Sequence, residues 1–148
     1  MKKPIVVIKN LQNRISLYPQ NIKKIVYKTL FLKSLNKIGQ VSICLVDDRL
    51  IKELNRKYLG KDYPTDVLSF DLSLRKGDIS CEIVVSCDRA FYNSRIYKTS
   101  AVYETYLYLI HGLLHILGYD DRTKVEGRLM QEKAEKILLE LKVGHFKS

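Results

Sequence analysis

The sequence lacks a long apolar run. None of its 148 residues belongs to a stretch approaching the roughly 20 apolar residues that a membrane-spanning helix needs. The first apolar stretch, residues 5–8, ends at Lys9 and is shorter than the roughly 7–15 apolar residues of a secretory signal peptide. The sequence therefore predicts a cytoplasmic protein that does not span a membrane.

Cysteine is scarce and is not arranged as a metal-binding or disulfide framework. The three cysteines, Cys44, Cys81 and Cys87, form no C-x-x-C pair, and an odd number without a secretion signal favours reduced thiols. Each lies in or beside an apolar run, which is typical of a small buried side chain. We therefore expect three buried, reduced cysteines.

Acidic residues are absent from the first 46 positions. That segment holds nine lysine or arginine residues, so it carries +9 of the formal net charge of +10. A one-sided cationic surface suits a polyanion such as nucleic acid, although solubility or an acidic protein partner would also explain it. Charge alone therefore favours a nucleic-acid partner only modestly.

Repeats, low-complexity tracts and Pro/Gly-rich linkers are also absent, and 148 residues suit a single domain spanning 1–148. Strand patterns come early and helix patterns late, which favours an α+β fold. Strands are predicted at residues 5–8, 41–45, 66–72 and 79–86, the last two forming a possible hairpin. Helices are predicted from Pro19 to near Gly39, from Asp47 or Asp48 onward, over 89–97, from Ser100 through Leu117, and from a Thr123–Glu126 capping box onward.

The most informative segment is the pattern H-x-x-x-H-x-x-G-x-x-D at residues 111–121. His111 and His115 lie four residues apart, so a helix places both imidazole rings on one face. Gly118 ends that helix, and the returning chain can bring Asp120 or Asp121 to the same ion. Three such ligands leave a fourth position for water, as in catalytic zinc sites.

Two histidines in an apolar helix can also be hydrogen-bonded core residues. The chain has only three histidines, however, and two of them fall in this pattern with a suitably placed glycine and carboxylate. The third, His145, is expected in a solvated C-terminal tail. We therefore favour a metal site on a central helix.

This segment closely resembles the H-G-x-L-H-L-x-G-Y-D-H motif of the YbeY family of bacterial rRNA maturation endoribonucleases. A second family signature is present as L-N at 54–55, G-K-D-Y-P-T-D-V-L-S-F at 60–70 and G-D-I at 77–79. Order and spacing both match, and the match spans residues 47–121. Together the two motifs are highly specific.

The resemblance implies an α+β fold in which a small mixed sheet is packed by several helices. It also implies a zinc-dependent enzyme that cuts single-stranded RNA in 16S rRNA 3′-end maturation and ribosome quality control, with the ribosome or a ribosomal protein as a further partner. The family's first two zinc ligands map onto His111 and His115, and the third maps onto Asp121.

Two positions depart from the family pattern. Asp121 stands where the family has a third histidine; an aspartate would lower the positive charge of the site and favours a harder divalent metal than Zn²⁺. Asp120 matches the family's aspartate and is a rival ligand or a partner of a ligand. Leu59 stands where many members have arginine, so Arg56, Lys57 or Lys61 would have to contact the RNA phosphates instead.

A metal in an open site supplies an activated water and charge neutralisation for phosphodiester cleavage. The candidate catalytic residues are His111 and His115 with Asp66 and Asp78, the last two as possible general acids; both aspartates also suit purely structural turn roles. RNA's own 2′-hydroxyl is an alternative nucleophile.

Two other functions remain open. The histidine spacing is similar to that of metzincin-like metallopeptidases, but Gly112 stands where those enzymes carry their glutamate base. A non-catalytic, ribosome-associated RNA-binding module with a structural metal is the other alternative. Of the tyrosines that precede the motif, Tyr103, Tyr106 and Tyr108, we expect most to be core residues.

Overall fold

The structure is a computed structural model in which residues 3–33, 35 and 37–143 are described. Its sheet has four strands in the order β1-β2-β4-β3. Strands β1, β2 and β4 run parallel to one another, whereas β3 pairs antiparallel with β4. The strands are β1 (Ile5–Asn10), β2 (Lys37–Val46), β3 (Val67–Asp71) and β4 (Asp78–Ser86). The predicted α+β class, the mixed sheet and the β3–β4 hairpin are confirmed.

Helices cover the two faces of this sheet unequally. The larger core lies on the face where strand residues such as Ile43 and Ile83 meet α1, α3, α4 and α5, and a smaller cluster around Ile51 of α2 covers the opposite face. Alternate residues of each strand point to opposite faces, so the strands supply both clusters. The helices are α1 (Pro19–Leu30), α2 (Asp48–Leu59), α3 (Cys87–Tyr97), α4 (Ala101–Ile116) and α5 (Lys124–Glu140).

Four helices begin at a side chain that accepts a hydrogen bond from a backbone amide three residues later. Asp47, Ser86, Ser100 and Thr123 play this part for α2, α3, α4 and α5. Such caps satisfy amides that have no partner within the helix. The starts predicted at Asp47, Ser100 and Thr123 are confirmed.

Helix α4 is the central element of the larger core. It contacts α1, α3, α5, β3 and β4, and most of its residues are buried. It approaches the sheet closely at Gly112, where an added Cβ would lie 2.8 Å from Cγ2 of Ile83, 2.9 Å from Oγ of Ser69 and 3.0 Å from Cγ2 of Val67. The absence of a side chain at this position is therefore what allows α4 to pack at this distance.

The predicted end of the first helix is wrong. Helix α1 ends at Leu30, and Gly39 lies within β2. The segment from Lys37 onward pairs in parallel with the start of β4, with Ile38 opposite Ile79. This long-range pairing recruits residues that local periodicity assigned to the helix.

The cationic N-terminal third is partly neutralised by the rest of the chain. Arg14 Nε lies 2.7 Å from Asp88 Oδ1, and Lys28 Nζ lies 2.6 Å from Glu140 Oε2. Lys33 Nζ donates a 2.7 Å hydrogen bond to the Leu117 carbonyl at the end of α4. The sequence-level charge asymmetry is therefore less one-sided on the folded surface.

Cys44, Cys81 and Cys87 are buried free thiols, as predicted. Among the described residues, no helix combines the length and apolar character that crossing a membrane requires. His145 lies outside the described residues.

Candidate active site

The C-terminal half of α4 positions both histidines of the motif. Beyond Ile116 the helix ends in a left-handed turn, with Gly118 at φ 96°. The Gly118 amide donates to the His115 carbonyl, and the Tyr119 amide donates to the Leu114 carbonyl. This closure reverses the chain, as glycine-terminated helices commonly do. The reversal carries the two aspartates of the motif back toward His115.

Asp121 is the aspartate that meets His115. Their Oδ2 and Nε2 atoms lie 3.7 Å apart, with side chains that are 57% and 36% exposed. Asp120 is engaged elsewhere, because its Oδ2 lies 2.7 Å from Arg122 Nε and its Oδ1 accepts a 2.7 Å hydrogen bond from the Asp121 amide. Of the two candidate carboxylates, Asp121 therefore faces the histidine and Asp120 turns toward Arg122.

His111 lies one helical turn before His115 and is half-buried. Burial lowers the pKa of its imidazole, since a charged ring is poorly solvated there. The charges of Asp66 and Asp121 and a hydrogen bond with the Gln131 side chain raise this pKa, whereas the charge of His115 lowers it further. His111 is therefore favoured as the neutral imidazole, the form that binds metals.

Two of the three predicted metal ligands, His115 and Asp121, lie at a distance that suits binding of one divalent cation. Two ligands of one tetrahedral zinc, each about 2.0–2.2 Å from the ion, lie about 3.4 Å from each other, close to the 3.7 Å between His115 and Asp121. Within residues 3–33, 35 and 37–143, no three His, Cys, Asp or Glu side chains converge closely enough to hold an ion. The structure thus brings His115 and Asp121 together, whereas the His111 side chain is hydrogen-bonded to Gln131.

A cavity of about 500 Å³ opens beside His111, between α3, α4 and α5. We call it the acidic cavity, because three carboxylates contribute to its walls. Its lining includes Asp66, Asn93, Glu104, Tyr108, Gln131 and Glu135. The cavity places the predicted catalytic residue Asp66 next to His111.

Asp66 and Asp78 lie far apart. The Asp66 carbonyl accepts from the amide of Ser86 at the end of β4, whereas Asp78 begins that strand. Eight residues of extended chain separate those ends by roughly 25 Å. Asp78 instead lines a different cavity, with Ile116 and Leu117. Only Asp66 of the two predicted general acids shares a cavity with His111.

The three predicted phosphate-contacting residues lie at the end of α2. Arg56, Lys57 and Lys61 are exposed, and Gly60 caps the helix there at φ 70°. None of them lines the cavity beside His111. Leu59, which replaces the family arginine, is also exposed. These cations are available to a ligand that extends beyond the cavity.

Sequence reasoning missed the polar residues that surround His111. Glu104 is only 3% exposed, and its Oε1 accepts a 3.3 Å hydrogen bond from the Tyr108 hydroxyl, which accepts a 2.8 Å bond from Asn93 Nδ2. A signal was present: Glu104 is the only acidic residue of α4, within a helix that is otherwise largely apolar. Buried carboxylates are rare enough to mark a position for attention. Gln131 on α5 offered no comparable signal.

Fold and site together define a small α+β protein with a histidine pair and a carboxylate at the C-terminal end of its central helix. The endoribonuclease YbeY family model matches residues 7–142. Endoribonuclease YbeY of Carboxydothermus hydrogenoformans is 40% identical over 134 residues, covering 88% of this chain and 93% of the relative. The Clostridioides difficile endoribonuclease YbeY is 36% identical over 132 residues, covering 84% and 86%. This chain therefore belongs to the endoribonuclease YbeY family, as the sequence motifs predicted.

A solved structure has the same fold. The solution structure of a Thermotoga maritima protein matches with a TM-score of 0.59 at 27% identity, and the match covers 93% of this chain and 92% of that one. The likeness therefore extends over nearly the whole length of both chains.

Proposed function

We propose that this protein is a metal-dependent endoribonuclease that cuts single-stranded RNA, and that its substrate is rRNA. The observation that carries the proposal is the 3.7 Å approach of Asp121 to His115, beside a half-buried His111. Family membership supplies the reaction class. The finer role, in 16S rRNA 3′-end maturation and ribosome quality control, is proposed from the family resemblance. We further propose that the protein acts in the cytoplasm with the ribosome as partner, and that residues 1–148 form a single domain.

We assign the metal to His111, His115 and Asp121. Closing this set requires the His111 ring to turn toward the other two while Gln131 keeps hold of its second nitrogen. Metal-bound histidines usually donate their other N–H to such a partner. We therefore assign Gln131 as a positioning residue. Zn²⁺ suits the two imidazoles, whereas the carboxylate would also accept a harder divalent ion. When bound, the ion would polarise a phosphoryl oxygen and acidify a water molecule.

Asp66 is the residue we assign to proton transfer. Its Oδ1 accepts from the Val67 amide at 2.8 Å and from the Thr65 hydroxyl at 3.3 Å, which fixes the carboxyl group beside His111. In this assignment, Oδ2 takes the proton from the attacking hydroxyl group or returns it to the leaving oxygen. Asp78 remains a second predicted acid, at a greater distance.

The exposed cations Arg56, Lys57 and Lys61 are assigned to the RNA phosphates. They lie on the α2 side of the sheet, and the loop that follows Gly60 leads from them to Asp66. An RNA strand following this loop would meet positive charge before it reaches the histidines. Such contacts position a nucleic acid without reading its sequence.

The peptidase alternative meets a steric obstacle. A glutamate base at position 112 would need a Cβ where Ile83, Ser69 and Val67 already lie within 3.0 Å. Helix α4 would have to move away from the sheet to accept it. The RNA-binding module is distinguished from an enzyme by turnover alone.

The test compares metal content and RNA cleavage in matched variants. We expect the wild-type chain to bind one divalent ion and to cut single-stranded RNA in a chelator-sensitive way. Asp121→Asn should weaken metal binding at least about tenfold, as should His115→Ala. Asp120→Asn, the same change one residue earlier, should leave metal content near wild type because Asp120 faces Arg122.

Three outcomes decide between the functions. Cleavage that persists unchanged in His111→Ala and His115→Ala would end the metal-catalysis proposal. RNA binding without turnover would favour the RNA-binding module, and chelator-sensitive hydrolysis of casein would favour a peptidase. Loss of metal in Asp120→Asn, but not in Asp121→Asn, would transfer the ligand role to Asp120.

A further inference from the structure

We propose that the acidic cavity is a nucleobase subsite that accepts guanine from the RNA strand. The inference rests on the proposed ribonuclease function and adds a base preference to it. The cavity is separate from the His115–Asp121 pair, but His111 lines it. A base held there would therefore lie beside the phosphodiester that reaches the histidines.

The charge inside the cavity disfavours a phosphate group there and favours a base. Asp66, Glu104 and Glu135 contribute three carboxylates to walls that also include Asn93 and Gln131. Phosphates are repelled by such a surface, whereas the N–H groups of a base find acceptors on it. The neutral, donor-bearing edge of a nucleobase is thus the part of RNA that fits.

The size and the remaining walls also suit a base. A volume of about 500 Å³ has room for one nucleobase with accompanying water. The walls include Tyr97, Tyr103 and Tyr108, and aromatic side chains are a common platform for unpaired bases. Tyr97 is well exposed and stands nearer the solvent than the buried Tyr108. Tyr103 is also buried, so Tyr97 is the wall residue whose aromatic surface is open to an incoming base.

Glu104 is the group that would read the base. It is held rigidly, because Tyr108 donates to its Oε1 and Asn93 in turn donates to the Tyr108 hydroxyl. An ionised carboxylate has about four acceptor positions on two oxygens. Tyr108 uses one of them and the Thr99 side chain also hydrogen-bonds to this carboxylate, so further acceptor positions remain for a ligand. A carboxylate kept this deeply buried is costly unless such donors reach it.

Among the four RNA bases, guanine presents the edge that matches a carboxylate. Its N1–H and N2–H groups are adjacent donors that both oxygens can accept. Adenine and cytosine place an amino group beside a ring nitrogen acceptor, and uracil places its N–H between two carbonyls, so each sets a lone pair against the carboxylate. Bidentate pairing of this kind discriminates between bases by about 1–3 kcal/mol, roughly fivefold to 150-fold.

Binding of short RNAs tests the inference without requiring cleavage. The full-length chain, in chelator, is titrated with the trinucleotides UGU, UIU, UAU and UUU, and the NMR signals of the Asn93 and Gln131 side-chain amides are followed. All four ligands carry the same phosphates, so their affinity ratios report the central base. We expect UGU to bind at least about fivefold tighter than UUU. Inosine lacks the 2-amino group, so UIU should bind about threefold to tenfold weaker than UGU.

A matched pair of variants locates the effect. Glu104→Gln keeps the side-chain shape and should bring the UGU/UUU ratio close to one. Glu53→Gln makes the same change on α2, where the side chain is 54% exposed, and should preserve the ratio. If Glu104→Gln does not fold, the wild-type comparison of UGU with UIU still decides.

Equal affinity for all four trinucleotides, absence of saturable binding, or shifts confined to other residues would overturn the inference. The proposed ribonuclease function is read separately, by metal-dependent turnover. A base preference without turnover would therefore count against the enzyme and not against the subsite. Turnover without a base preference would count against the subsite and not against the enzyme.

Discussion

Replacing Gly112 with alanine should destabilise the protein although alanine is the better helix former. The added Cβ would lie within 3.0 Å of Ile83, Ser69 and Val67. Two of these neighbours are β-branched and stiff about χ1, so they cannot swing aside easily. Overpacking of this kind costs about 1–3 kcal/mol, and three simultaneous short contacts place this site near the upper end.

The helix-propensity gain offsets only part of that cost. Exchanging glycine for alanine in a helix interior contributes about 1 kcal/mol of stability. We therefore expect Gly112→Ala to lower the free energy of unfolding by about 2 kcal/mol, which for a chain of this size corresponds to a fall in Tm of about 4–8 °C. Circular dichroism during thermal and urea unfolding measures both quantities.

Gly127→Ala is the control, since Gly127 is also helical but its nearest neighbours would be 3.8 Å and 3.9 Å from the new Cβ. This variant should gain up to about 1 kcal/mol. A Gly112→Ala protein that melts at or above the wild-type temperature would refute the close-packing argument.

The remaining predictions concern buried titratable groups. Burial, opposed by hydrogen bonds from Thr99 and Tyr108 and reinforced by the Asp66 charge, raises the pKa of Glu104 above its ordinary 4.5. The fold is therefore favoured below pH 4.5, and this contribution is lost as pH rises through the higher pKa of the folded state. The stability of Glu104→Gln relative to wild type, measured by urea unfolding, should thus be more favourable at pH 7 than at pH 4.5; an unchanged difference would contradict this. Burial also raises the pKa of Cys81 and of Cys87 to about 12, so at pH 8 a thiol-specific chromogenic disulfide should label neither until denaturant is added. Because Cys44 is a third thiol, rapid labelling of more than one thiol in the folded chain would contradict their burial.

Local chemistry made the helix starts and the placement of both histidines on one helix predictable. A capping side chain such as Ser100 binds a backbone amide only three residues away. The four-residue spacing of His111 and His115 places both side chains on one face of a helix. The glycine bend then limits where a following carboxylate can lie, which is why the approach of Asp120 or Asp121 to the histidines could be anticipated, and the family resemblance singled out Asp121. Features that depend on a few neighbouring residues were visible in this way.

Features that depend on distant pairing were not predictable. The end of α1 was misplaced because β4, some 40 residues further on, recruits the segment after Lys37 into the sheet. The acidic cavity needs Asp66, Glu104 and Gln131 from three separate elements, and no periodicity joins them. Tertiary context decides such cases over local propensity.

Neighbouring positions on helix α4 are under different constraints. Gly112 presses against the strands and tolerates no added atom, whereas His115 stands at the open end of the same cylinder and is 36% exposed. Asp121 lies beyond Gly118, outside the helix, and its side chain is 57% exposed, so an aspartate at this position is compatible with an intact architecture. Under the proposed metal assignment, we expect the preference for one ion over another to change more readily than the arrangement of strands.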